Sequence, residues 1–108
     1  MATPIKESLD FRERKDVVAV TYGRLQRHVE RYENATTSNQ REVYGTYIGL
    51  ARKNFKKAMD NLQKSTRTKN EEIRGLAEET GRIYRERVEE LDKRLNKAAG
   101  NAPLSSGE

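Results

Sequence analysis

The sequence contains no cysteine, which excludes disulfide bonds and thiolate metal ligands. It also contains no tryptophan and a single histidine, His28. Nucleophilic catalysis needs a nucleophile beside an activating base, and no serine here has a plausible base as a neighbour. The carboxylates are interleaved with Arg and Lys, which is typical of a solvated charged surface. We therefore expect a protein that is not an enzyme and has no metal or cofactor, with His28 as a surface bystander.

Long apolar runs are absent as well. No stretch approaches the roughly 18 apolar residues that a membrane-spanning helix requires. The N-terminal residues, Met1 to Glu7, lack the apolar core of a signal peptide. We expect a protein that does not span a membrane and is not secreted by a signal peptide. Its expected location is the cytoplasm, or a particle assembled in the cytoplasm.

Charge is abundant and unevenly distributed. Charged residues make up 36% of the 108 residues and hydrophobic residues 33%, a balance typical of long helices and coiled coils. Residues 35–70 hold eight basic and two acidic groups, for a net charge of +6. Residues 1–34 have a net charge of +1, and residues 71–108 have a net charge of −2. The basic character of the chain therefore belongs to its middle third.

The apolar residues follow a narrow seam at helical spacing. In the first and middle thirds they recur in steps of three and four, which places them along one stripe of a helix. A stripe this narrow needs a partner surface, so we interpret its larger members as interface residues. They are Val18, Tyr22, Leu25, Val29, Tyr32, Tyr44, Ile48, Phe55 and Leu62. Tyr47 lies off this seam, and we add it as a tyrosine that could anchor an interface.

The last third has a different period. Ile73 and Tyr84, like Ala77 and Val88, are separated by eleven residues, a repeat that favours a straight or slightly right-handed helix packing. The spacing also predicts solvated ion pairs one helical turn apart. These are Glu78–Arg82, Glu89–Lys93 and Glu90–Arg94.

These patterns predict three helices, at about residues 9–33, 40–64 and 70–99. Residues 34–39 are rich in Asn, Thr and Ser and read as a loop, with Asn39 as the N-cap of helix 2 and Glu42 reaching back to it. Residues 65–70 contain neither Gly nor Pro, so one continuous helix is an alternative. The capping-box spacing of Thr68 and Glu71 favours a turn instead.

The fold class is therefore all-α: an elongated antiparallel helical hairpin plus a third long helix, with coiled-coil-like packing. The helical domain covers residues 9–99. Residues 1–8 form an N-terminal segment in which Thr3 and Pro4 offer an earlier helix start. Residues 100–108, from Gly100 onwards, are predicted to be a flexible tail.

Helix 2 is the most informative segment for function. Gly45 and Gly49 lie one turn apart, and each costs about 1 kcal/mol relative to Ala inside a helix. They indicate either a strip where another backbone packs closely or merely tolerated glycines. The same helix and its end carry a set of basic residues that could contact nucleic-acid phosphates. These residues are Arg52, Lys53, Lys56, Lys57, Lys64, Arg67 and Lys69.

The sequence favours a non-catalytic assembly protein that acts through helix packing. Its expected partners are other copies of itself or a larger protein assembly, such as a virion or scaffold of which it is a subunit. The alternative is a small basic accessory protein that binds DNA or RNA without sequence specificity. No exposed aromatic run accompanies the lysines, and such a run is what would stack on bases. Solvated lysines, or pairing with the acidic last third, are the favoured explanations of the basic set.

Overall fold

The computed structural model describes residues 5–100, which form three α-helices and a short 3₁₀ segment. Helix α1 covers Ile5–Glu33, α2 covers Ser38–Leu62, the 3₁₀ segment covers Gln63–Arg67, and α3 covers Glu71–Gly100. No strand occurs among these residues. The predicted all-α fold with an antiparallel hairpin and a third long helix is confirmed.

The molecule is a rod in which α1 occupies the central position. Its dimensions are 65 × 18 × 15 Å, as expected for helices that are each about 40 Å long and lie side by side. α1 packs along both α2 and α3, whereas α2 and α3 make few contacts with each other. A groove therefore separates α2 from α3 on one side of the rod.

The helix ends differ from the predicted bounds at both termini. α1 already begins at Ile5, inside the segment predicted to precede the helices, and an ion pair between Lys6 and Asp10 at 3.2 Å spans its first turns. α3 continues through Gly100. The predicted helix start at Thr3 and Pro4 and the predicted tail over residues 101–108 lie outside the described residues.

The α1–α2 loop is capped by a different residue from the one predicted. The Thr37 hydroxyl accepts a hydrogen bond from the Gln40 N–H at 3.1 Å, and Gln40 Oε1 accepts one from the Thr36 N–H at 2.8 Å. This reciprocal pair satisfies N–H groups that a helix start leaves unpaired. The prediction of Asn39 as N-cap is wrong, because α2 has already begun at Ser38.

The junction after α2 is a turn, which excludes the alternative of one continuous helix. Asn70 caps α3 by accepting a hydrogen bond from the Ile73 N–H at 3.1 Å. The predicted capping box of Thr68 and Glu71 is wrong, because the Thr68 hydroxyl instead donates to the Glu7 carboxylate and accepts from the Asn70 N–H. The junction is thus tied to the start of α1.

The core consists of two clusters, joined by Tyr22, which packs against both. The first cluster lies toward the 3₁₀ segment and contains Phe11, Val18, Phe55, Ala58, Leu62, Ile73 and Ala77. The second lies toward the α1–α2 loop and contains Leu25, Val29, Ile48, Ala51 and Leu91. Each cluster takes residues from all three helices, so α3 completes the core that the hairpin begins.

Candidate protein-binding surface

The predicted apolar seam is used mostly inside the chain. Six of the ten predicted interface residues are buried, and Tyr22, Tyr32 and Tyr44 are half-buried. Tyr47 is the exception, because 45% of it is exposed. The need for a partner at these residues stays a prediction, and Tyr47 is the predicted interface residue best placed to meet one.

A second group of apolar residues is exposed on the two helices of the hairpin, and sequence reasoning identified only Tyr47 among them. Val17 and Val20 belong to α1, and Val43, Tyr47 and Leu50 belong to α2. Each of the five is between 44% and 56% exposed. The spacings of three and four residues keep the members from each helix on one side of that helix. We call these five residues the hairpin face.

A shallow depression adjoins Tyr47 and Leu50 of the hairpin face. The depression has a volume of about 180 Å³ and is lined by residues of α1 and α2 alone, among them Thr21, Arg24, His28, Tyr47 and Leu50. The His28 ring lies 5.4 Å from the Tyr47 ring, measured between centroids. His28 therefore holds one wall of the depression and positions the exposed tyrosine.

The surroundings of His28 disfavour protonation of its imidazole. Burial lowers the pKa of its imidazole, and the charges of Arg31 and Arg27 lower it further. Its Nδ1 atom is buried without a hydrogen-bond partner within the described chain. An imidazolium would be poorly solvated there, so the ring acts as an apolar packing element beside Tyr47.

Basic side chains border the hairpin face on both helices. Arg24 and Arg27 lie on α1, Lys53 and Lys57 lie on α2, and all four are exposed. None of the four forms an ion pair within residues 5–100. The exposed carboxylates of Glu13 and Asp16 lie on the same side of α1 as its two valines, so the hairpin face has a mainly basic rim with two acidic residues at one end. We refer to the four cations as the basic rim.

The basic set predicted from sequence does not form one patch. Arg52 donates a hydrogen bond to Asp92 of α3 at 2.6 Å, and Lys56 lines the groove between α2 and α3. Lys53 and Lys57 belong to the basic rim. The remaining three, Lys64, Arg67 and Lys69, lie at the junction after α2, where Glu7 and Asp10 also line the surface. The structure brings the set together only in these small groups.

The groove between α2 and α3 is the second apolar depression of interest. It has a volume of about 440 Å³, and Phe55, Met59 and Val88 supply its apolar lining. Its charged lining has both signs, because Asp60 and Glu89 accompany the basic residues Arg52, Lys56 and Arg85. The mixed charge makes this groove less selective for a charged partner than the hairpin face.

The two glycines of α2 meet no backbone of another element within residues 5–100. A methyl group at Gly49 would have nothing within 4 Å, and one at Gly45 would contact only the Tyr32 ring at 3.9 Å. Close packing at this strip stays a prediction, and it would require a second molecule.

An ion pair between α1 and α3 was not predicted. Arg94 donates two hydrogen bonds to the Glu33 carboxylate, at 2.6 and 3.0 Å, in place of the predicted pairing with Glu90. Glu90 pairs with Lys93 instead, and Arg82 pairs with Glu79 and Glu86 rather than Glu78. The two-pronged geometry with Arg94 joins the end of α1 to the last third of α3.

We expect Glu33→Gln to make stability less dependent on pH. The hydrogen bond from Arg94 lowers the pKa of the Glu33 carboxyl below its usual 4.5. A carboxyl group whose pKa is lower in the folded than in the unfolded protein stabilises the fold at pH values above its unfolded-state pKa. This stabilisation is lost as the pH falls through its folded-state pKa. Thermal unfolding should show the variant to be less stable by up to about 1 kcal/mol at pH 7. The difference from the wild type should shrink below pH 4.5; a constant difference would contradict this account.

Comparison of the chain with known protein families, with curated proteins and with solved structures finds no match. Within residues 5–100 no helix is long and apolar enough to cross a membrane. The same residues contain no group of three or more side chains arranged to hold a metal ion.

Proposed function

We propose that this protein is a non-catalytic assembly protein whose hairpin face binds another α-helix. The observation that supports the proposal is the hairpin face itself. It exposes five large apolar side chains beside a core that is already complete within the chain. A concentration of exposed large apolar residues is characteristic of protein-binding sites. The stretch from Val43 to Leu50 gives the two-turn spacing with which one helix packs along another.

Photo-crosslinking in the cells that make the protein tests this proposal. A photoreactive amino acid replaces Leu50 in one variant and Leu9 in a matched control, since both leucines are 56% exposed and Leu9 lies outside the hairpin face. We expect a discrete crosslinked product from the Leu50 position, because a docked helix would cover it, and none from the Leu9 position. Equal products from both positions, or none from either, would contradict the proposal.

Binding of DNA or RNA without sequence specificity is the second proposal. The exposed Lys53 and Lys57, which have no ion-pair partner within residues 5–100, support it. The separation of the seven basic residues into three groups argues for a weak interaction at most, because phosphate neutralisation depends on how many cations act together.

A further inference from the structure

The outward side of α3 carries an apolar stripe with acidic residues beside it. Leu76 is 49% exposed, and Ile83, seven residues later, is half-buried. Glu72, Glu79 and Glu86 are exposed and recur at the same interval of seven residues. Residues seven apart lie on the same side of a helix, two turns along. We call these five residues the α3 stripe.

The α3 stripe and the hairpin face have apolar residues at the same spacing and flanking residues of opposite charge. Leu76 and Ile83 have the same separation as Val43 and Leu50, about 10 Å along a helix. The stripe is acidic on one flank, whereas the hairpin face is bordered by Arg24, Arg27, Lys53 and Lys57. We propose that the helix bound by the hairpin face is α3 of a second copy of this chain. This inference rests on the proposed function.

The carboxylates of the stripe are available for such an exchange of partners. In the single chain, Arg82 holds Glu79 at 2.7 Å and Glu86 at 3.0 Å, and all three side chains are more than half exposed. Exposed pairs of this kind contribute little to stability. When the stripe docks against the basic rim of another copy, Lys and Arg side chains would approach these carboxylates. Little stability would be lost if the exposed pairs with Arg82 rearranged.

Charge also decides how the copies are arranged. Pairing two hairpin faces about a twofold axis would place two basic rims against each other, and like charges across an interface are unfavourable. Pairing the hairpin face with the α3 stripe avoids this repulsion, and it leaves each docked pair with one free surface of each kind. Such a head-to-tail contact produces a ring or an open chain of copies.

Two variants test this arrangement, each of which removes one side of the contact. Leu50→Asp damages the hairpin face and keeps the α3 stripe, while Leu76→Lys damages the stripe and keeps the hairpin face. Each should weaken self-association by about tenfold or more in size-exclusion chromatography with light scattering. An equimolar mixture of the two should form a one-to-one heterodimer, because each variant supplies the surface that the other lacks.

The controls separate this inference from the proposed function. Circular dichroism should show that both variants stay folded, since each altered leucine is about half exposed, and Leu9→Asp should associate like the wild type. A mixture that stays monomeric while the wild type associates would overturn the inference, as would a large species that disappears on nuclease treatment. A wild type that is monomeric at about 100 μM would overturn it too. In that case the proposed function would still stand if the Leu50 position crosslinks to a different protein.

Discussion

Leu25→Ala is expected to destabilise the protein by about 3 kcal/mol. Leu25 is 1% exposed and lies in the second core cluster with Ile48 of α2 and Leu91 of α3. The substitution removes packing that all three helices share and leaves a cavity that a rod of this width has few neighbouring side chains to fill. Total stabilities of small domains are about 5–15 kcal/mol, so the loss would be a large fraction of the whole.

Urea unfolding followed by circular dichroism measures this effect. Leu9→Ala is the matched control, because it removes the same atoms from a side chain that is 56% exposed and lies outside the hairpin face. The control should change the free energy of unfolding by no more than about 0.5 kcal/mol. Similar losses for the two variants would mean that Leu25 is not in a core shared by three helices.

The helices and their buried sides were predictable from the sequence because each depends on local spacing. Val18, Leu25 and Val29 recur in steps that a single helix turns to one side, and that side is buried. The eleven-residue repeat from Ile73 likewise identified the buried side of α3. These patterns depend only on positions along one helix, so they hold whichever neighbouring helix covers the apolar side.

Caps and ion pairs were less predictable, for two physical reasons. Thr37 with Gln40 and Asn39 with Glu42 are equally good capping pairs by spacing, and the structure uses the first. Arg94 bonds to Glu33, which is 61 residues away along the chain, and Arg52 bonds to Asp92, which is 40 residues away. Sequence spacing shows only pairs within one helix, so it does not predict a stronger partner that lies on another helix.

Apart from Tyr47, the hairpin face was missed because exposure depends on where the third helix packs. Val17 and Val20 lie one and two residues from the seam residue Val18, and the sequence does not say which of them α3 will cover. Once α3 lies against the side of α1 that carries Tyr22, these valines and the α2 residues beside them remain open to solvent. The candidate site is thus a consequence of the tertiary arrangement and not of a motif.

Replacing both helix 2 glycines with alanine is expected to stabilise the chain. Gly→Ala inside a helix gains up to about 1 kcal/mol per position when the methyl group fits, so Gly45→Ala with Gly49→Ala should add about 2 kcal/mol. The methyl groups do fit, because the nearest atom to either is Tyr32 Cε2 at 3.9 Å, an ordinary contact distance. Thermal unfolding should show a higher Tm, by roughly 10 °C.

The matched control is Gly23→Ala with Gly75→Ala, two helical glycines at which an added methyl group would have nothing within 4 Å. Both pairs should stabilise the chain alike, and a loss of stability in the Gly45 and Gly49 variant would contradict the open geometry of this strip.

A measurement of self-association shows whether the strip is merely open surface or is a site where a second molecule packs. Gly45 and Gly49 lie on a different side of α2 from Tyr47 and Leu50, so docking through the hairpin face should be unchanged by the substitutions. Weakening of association by about tenfold in this variant alone would instead place a second backbone against the glycines. In that case these two glycines would be retained for assembly at the expense of helix stability.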